Sequence, residues 1–219
     1  MKHYKFLNLV KGKIKSAHGN CVWEVGQWKT EEDIDICSKG FHCSDTILDA
    51  LSYVKGEVLS VVETKGKNIK QNDKSVWESM RLVKAYEWTK NDSVSLSIFS
   101  AELCLKNFEK LYPNDNRPRL AIEATKEYLK NPTEENGSAA WSAARSAESA
   151  AESARSAARS AWSAAESARS AESAAWYAAR SAESAARSAA RSAAIKKINS
   201  KINKWLVFHL KEMKEYENK

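Results

Sequence analysis

Glycine and proline are scarce in this chain, seven and three among 219 residues. So few loop-punctuating residues, together with strong periodicity, argue against disorder. Long charge-free apolar runs are also missing. The opening stretch, Met1 to Lys15, has no uninterrupted apolar segment and no small-residue cleavage motif, so no signal peptide is expected. The one tract long enough to cross a bilayer, 138–194, holds seven Arg and five Glu, a prohibitive cost in hydrocarbon. No membrane span is expected. The four cysteines (Cys21, Cys37, Cys43, Cys104) match no secreted disulfide framework, which points to a reducing, cytosolic setting. The net charge is mild, +7; it suits a nucleic acid, a nucleotide or an acidic protein, but also an ordinary solvated surface.

What the chain has in abundance is a ruled repeat from Ser138 to Ala194. Serines, with Tyr177 standing in once, recur in fifteen steps over fifty-four residues, a mean equal to the α-helical repeat of about 3.6. Such a stripe drifts toward neither supercoil hand. Each turn reads charged-Ser-Ala, so an alanine arc is flanked by serines and by charges. As one helix the tract would span roughly 85 Å; folded back, it becomes two or three closely packed helices. Continuity is favoured by the absence of Gly and Pro, folding back by alanines that need cover. The irregular spacing around Arg169–Arg180 marks the place for a bend.

Residues 1–92 read as a β-rich domain. Tyr4–Leu7, Cys21–Val25, Val58–Glu63 and Met80–Trp88 have strand character. Ser44-Asp45-Thr46 caps a short helix through Leu48, Leu51 and Tyr53 that Gly56 ends, and Lys65-Gly66-Lys67-Asn68 reads as a polar turn. Cys37, His42 and Cys43 invite two chemical readings. Structural zinc sites use C-x2–4-C knuckles, and Cys37-x5-Cys43 does not fit, so no metal and no cofactor are expected. A Cys–His nucleophile would need an orienting group and a lowered thiol pKa. The alternative is a packed turn in which Phe41 and Cys43 are buried and His42 bonds to backbone.

The string Cys37-Ser38-Lys39-Gly40-Phe41-His42-Cys43-Ser44, then Leu48-Asp49-Ala50-Leu51-Ser52-Tyr53, Val62-Glu63-Thr64-Lys65-Gly66 and Arg81-Leu82-Val83, resembles a domain of unknown function found in phage and prophage proteins. That resemblance implies no activity. It implies a phage or mobile-element origin.

The second half, 99–219, reads as all-helical: 99–111, 117–130, the tract 138–194, and a basic amphipathic helix over 195–216. Residues 91–98 read as a polar connection between the domains. Ala101-Glu102, Cys104-Leu105, Phe108-Glu109, Tyr112-Pro113, Asp115-Asn116-Arg117-Pro118-Arg119 and Ala121-Ile122-Glu123-Ala124, followed by the Ala-rich run, resemble immunity proteins of the immunity-five-like kind. That resemblance implies a helical fold and neutralisation of a toxin. Arg117 and Arg119 at a helix start either form an anion-binding corner or pair with Glu123 or a tract glutamate to pin the turn.

Trp141, Trp162 and Trp176 interrupt the charged edge of the tract. They either cover a neighbouring element or, with Arg169 and Arg180, anchor a protein partner, since Trp and Arg are enriched at binding hot spots. The tail places Ile195, Ile198, Ile202, Trp205 and Leu206 on one face and lysines on the other, as a terminal helix that closes the helical bundle.

The expected molecule is therefore α+β, a β-rich head followed by an Ala/Ser-rich helical bundle. Its expected task is non-enzymatic: binding a host defence or toxin protein in the host cytosol. Two other readings stay open. One is a sequestering binder of a nucleotide or nucleic acid through Arg117 and Arg119; the other is an enzyme using Cys37, His42 and Cys43. Homo-oligomerisation is also open.

Overall fold

The computed structural model describes residues 2–19, 21–36, 38–143, 146 and 174–216, with side chains in the last segment from residue 191 onward. The chain is α+β, an antiparallel sheet within residues 3–87 followed by helices. It divides into two compact units, one of residues 1–93 with 199–219, the other of residues 94–198.

The sheet of the first unit comprises β1 (His3–Val10), β2 (Lys13–Lys15), β3 (Val22–Trp23), β4 (Lys29–Thr30), β5 (Phe41–Cys43), β6 (Val58–Lys70) and β7 (Ser75–Glu87), with α1 (Ile47–Tyr53) between β5 and β6. The strands run in the order β3-β2-β1-β6-β7-β4, and β5 pairs with β7 as well. Lys11 and Gly12, with φ of 51° and 72°, close the β1–β2 hairpin through the two left-handed positions that a tight two-residue turn requires. The sheet then curls on itself. Tyr4 and Ser44 exchange backbone hydrogen bonds of 2.8 and 2.9 Å, so the segment leaving β5 returns to β1 and the path β1-β6-β7-β5 closes.

Alternation sorts the strands onto two faces. In the β1–β6 register His3 faces Val62, Lys5 faces Ser60 and Leu7 faces Val58. Leu7, Val58 and Val62 join Ile14, Trp23, Cys43, Met80, Leu82 and Ala85 in one buried core. Phe6, one residue out of step, meets Trp88 edge-on with ring centroids 5.2 Å apart. Lys5 is thus a charged residue at an inward-facing position of the sheet.

Two local features differ from the sequence reading. Lys65–Asn68 is not the hairpin turn, because β6 continues to Lys70 with a register shift between Lys65 and Asn68. Gly66, at φ 85°, makes that bulge possible, and the Glu78 carboxylate accepts the Lys67 N–H at 2.9 Å. The reversal comes later, where Gln71 N–H donates to Lys74 O. Gly56 does not end α1 either. Thr46 caps the helix start by accepting the Asp49 N–H, and Val54, in an extended conformation, follows its last residue.

The tail, read from sequence as part of the helical half, makes its contacts in the first unit. Ile202, Leu206 and Leu210 are buried, Leu206 to 1 % exposure. Asn203 accepts the Leu48 N–H at 3.0 Å, and His209 lies 2.7 Å from Asp92. The helix ends at His209, short of the expected 216. Beyond it the chain runs beside β7, where Glu87 N–H donates to Lys214 O and Tyr216 N–H to Ala85 O. Ile195, expected on the buried face, is 48 % exposed.

The second unit contains most of α2 (Lys90–Leu111), then α3 (Arg117–Lys130), α4 (134–143) and the first part of α5 (Ala174–His209). Residues 91–98 are helical rather than a connection. Thr89 and Asp92 form a reciprocal cap, Thr89 N–H to Asp92 Oδ2 at 2.6 Å and Asp92 N–H to Thr89 Oγ1 at 3.3 Å, which starts the helix at Lys90. The ion pairs Glu102–Lys126 and Glu109–Arg119 show α2 and α3 running antiparallel. The expected helical tract is helical at both described ends, 138–143 and 174–194; whether it is continuous or folds back lies outside the described residues.

Candidate functional site

Curling of the sheet leaves a cavity of about 530 Å³ in the first unit. Its walls come from the middle of β1, the loop after β2, the 36–44 segment that carries β5, the end of α1 and Lys74. Three lysines (Lys5, Lys39, Lys74) line it, with Glu31 as the acidic member. Two of these lysines are engaged by neighbours. Lys39 pairs with Asp33 at 3.1 Å, and the Lys74 ammonium lies 4.9 Å from the Tyr53 ring centroid.

Lys5 is different. Its Nζ donates to His42 O at 2.7 Å and stands 6.0 Å from the Trp23 ring centroid. Among the described residues no carboxylate is ion-paired with it. Burial pushes its ammonium below the ordinary lysine range, against the opposing pull of Cys43 and Cys21. Directly across the β1–β6 pair stands Ser60, whose buried hydroxyl has no hydrogen-bond partner among the described residues. Directly opposed side chains start about 5 Å apart, but Lys5 lines the cavity and Ser60 does not.

His42 and Cys43 are packed, but in strand β5 paired with β7 rather than in the expected turn. Phe41 stacks edge-on against Trp23 with centroids 5.3 Å apart, Cys43 is in the buried core, and His42, which lies between them, donates from Nε2 to Ile36 O at 2.6 Å. Burial pushes the Cys43 thiol up to about 11, so at neutral pH it is protonated and a poor nucleophile. Cys104, exposed on α2, is expected to react with iodoacetamide at least about tenfold faster than Cys43, as residue-resolved mass spectrometry would read. Cys37 lies outside the described residues, and those described contain no group of three His, Cys, Asp or Glu able to hold a metal.

Burial lowers the His42 pKa, helped by Lys5 and Lys74. The unfolded chain therefore takes up a proton near pH 6.5 that the folded unit resists. Stability should fall as pH drops below that value, with a slope of at most about 1.4 kcal/mol per pH unit from this group. Urea unfolding at several pH values should show His42→Gln losing part of the acid sensitivity.

The other sequence-derived candidates lie in the second unit or outside the described residues. Arg117 is clamped by Asp115, Nε to Oδ1 at 2.9 Å and Nη2 to Oδ2 at 2.7 Å, and this guanidinium holds the Asp115 carboxyl below its usual range. Arg119 pairs with Glu109, Nε to Oε1 at 2.8 Å. The expected partner, Glu123, takes neither arginine; Asp115 and Glu109, nearer to the turn, do. Trp141, on α4, is 62 % exposed. Trp176 and Arg180 belong to α5, their side chains outside the described residues, and Trp162 and Arg169 lie wholly outside them.

Sequence reasoning missed Lys5 and Ser60. The available signal was alternation: in His3-Tyr4-Lys5-Phe6-Leu7 the lysine shares the face of His3 and Leu7. No helix among the described residues is long and apolar enough to cross a membrane. No curated protein and no solved structure matches the chain. The detectable similarity lies in the unit that holds the cavity: residues 1–92 match the family described as a domain of unknown function, DUF7666.

Proposed function

We propose that this is a non-enzymatic binding protein whose first unit takes a small anionic molecule into the cavity beside Lys5, sequestering it from the surrounding solution. The observation that carries the reading is a part-buried lysine at a cavity wall with no carboxylate ion-paired to it among the described residues. Such a lysine is costly to bury, and a ligand oxyanion would supply the missing counter-charge. This moves the sequestering reading from the Arg117–Arg119 corner, where both guanidinium groups already meet carboxylates, to the sheet. The test is thermal unfolding of the full chain against a panel of nucleotides and sugar phosphates. A ligand at a hundred times its Kd adds about 2.7 kcal/mol, a rise on the order of 5–10 °C for a chain of this size. Lys5→Met should abolish that rise. A panel without effect, or a rise that survives Lys5→Met, would refute the reading.

A second reading, neutralisation of a host defence or toxin protein by a phage-type protein, draws on the helical half, taken as an Ala/Ser-rich bundle. The exposure of Trp141 favours it, since a solvent-facing indole is a common interface anchor.

A further inference from the structure

We propose that Lys5 captures a carbonyl-bearing ligand covalently, as an imine, in the cavity of the first unit. The inference rests on the small-molecule reading above and specifies which ligand chemistry the site accepts. Two observations carry it. Lys5 lines the cavity together with His42 and Cys43. Its Nζ is held by one hydrogen bond to the His42 carbonyl, an acceptor that orients the amine without stabilising its charge as a carboxylate would.

Burial lowers the pKa of the Lys5 ammonium, which raises the share of neutral amine, the nucleophile of Schiff-base chemistry. The two cavity thiols do not compete for the electrophile. The Cys43 thiol is held protonated, and burial raises the Cys21 thiol as well. In the step itself the Nζ lone pair adds to the carbonyl carbon to form a carbinolamine. The carbon–oxygen bond then breaks, the oxygen leaves as water with the two nitrogen protons, and a carbon–nitrogen double bond remains. Nothing is oxidised or reduced, and water reverses the reaction.

The experiment uses the full chain with two probes, pyridoxal 5′-phosphate, which carries an aldehyde and a phosphate, and pyridoxine 5′-phosphate, its alcohol counterpart. Borohydride trapping followed by peptide mass mapping should place the pyridoxal adduct on Lys5 at least about tenfold above the mean of the other lysines. Lys5→Arg, which keeps a cation but cannot form an imine, should lose the trapped adduct while retaining binding of pyridoxine 5′-phosphate. Adducts spread evenly over the lysines, with pyridoxine 5′-phosphate still raising Tm, would overturn covalent capture and leave the cavity reading standing. Failure of both probes to bind or be trapped would overturn both.

Discussion

A chain ending at Ile198 is expected to lose the fold of its first unit, although the family similarity stops at residue 92. The deleted segment contributes Ile202, Leu206 and Leu210 as buried side chains, and Tyr216 packs against the main core. Fully burying an aliphatic side chain contributes about 1.5–3 kcal/mol, so three amount to about 5–9 kcal/mol. That is the scale of a whole domain's stability, about 5–15 kcal/mol. Truncation would also leave the backbone groups of β7 beside Ala85 and Glu87 without their tail partners, as an open strand edge. Circular dichroism and amide chemical-shift dispersion should report unfolding or aggregation. A dispersed, cooperative spectrum from the truncated chain would show the tail to be dispensable. The milder Leu206→Ala should cost about 2–5 kcal/mol in urea unfolding.

Gly56→Ala carries the second largest expected effect. A Cβ at this position would lie 2.1 Å from the Leu7 carbonyl oxygen and 2.6 Å from its carbon. The obstacle is backbone of β1, paired through Leu7 to Val58, so it cannot rotate away as a side chain would. Either β1 or the start of β6 must move, and both flank the core. The expected loss is about 3 kcal/mol or more, with the chevron or urea midpoint as readout. Because Lys5 is two residues from the obstructed carbonyl, the same substitution should weaken any ligand of the cavity. A stability within about 0.5 kcal/mol of the parent, the range of ordinary surface changes, would show that the chain crossing there relaxes freely.

Much of the first unit was legible because its signals are local. Thr46 three residues before Asp49 is a cap whatever surrounds it, and Val58–Glu63 is too β-branched to read otherwise. The misreadings also have local causes. Lys65-Gly66-Lys67-Asn68 has turn composition, yet pairing with β7 absorbs it as a bulge. The serines of 91–98 resemble a linker until Thr89 and Asp92 are seen capping each other. His42 and Cys43 are reactive residue types within a motif, whereas Lys5 is a single lysine within the Tyr4–Leu7 strand. Alternation puts it on the face of Leu7, and the burial of Leu7 in the core shows that this face points inward.

The sequence by itself determined the α+β division, the helical repeat at the described ends of 138–194 and, in whole or in part, strands β1, β3, β6 and β7, because periodicity and capping act within a few residues of chain. The tertiary structure decided the rest. It placed residues 199–216 with the β-rich unit and closed β1 to the segment after β5. It also gave Arg117 and Arg119 their carboxylates and enclosed Lys5. Each of these depends on which distant segments meet. Burial and charge compensation are properties of those meetings, and no residue carries them alone.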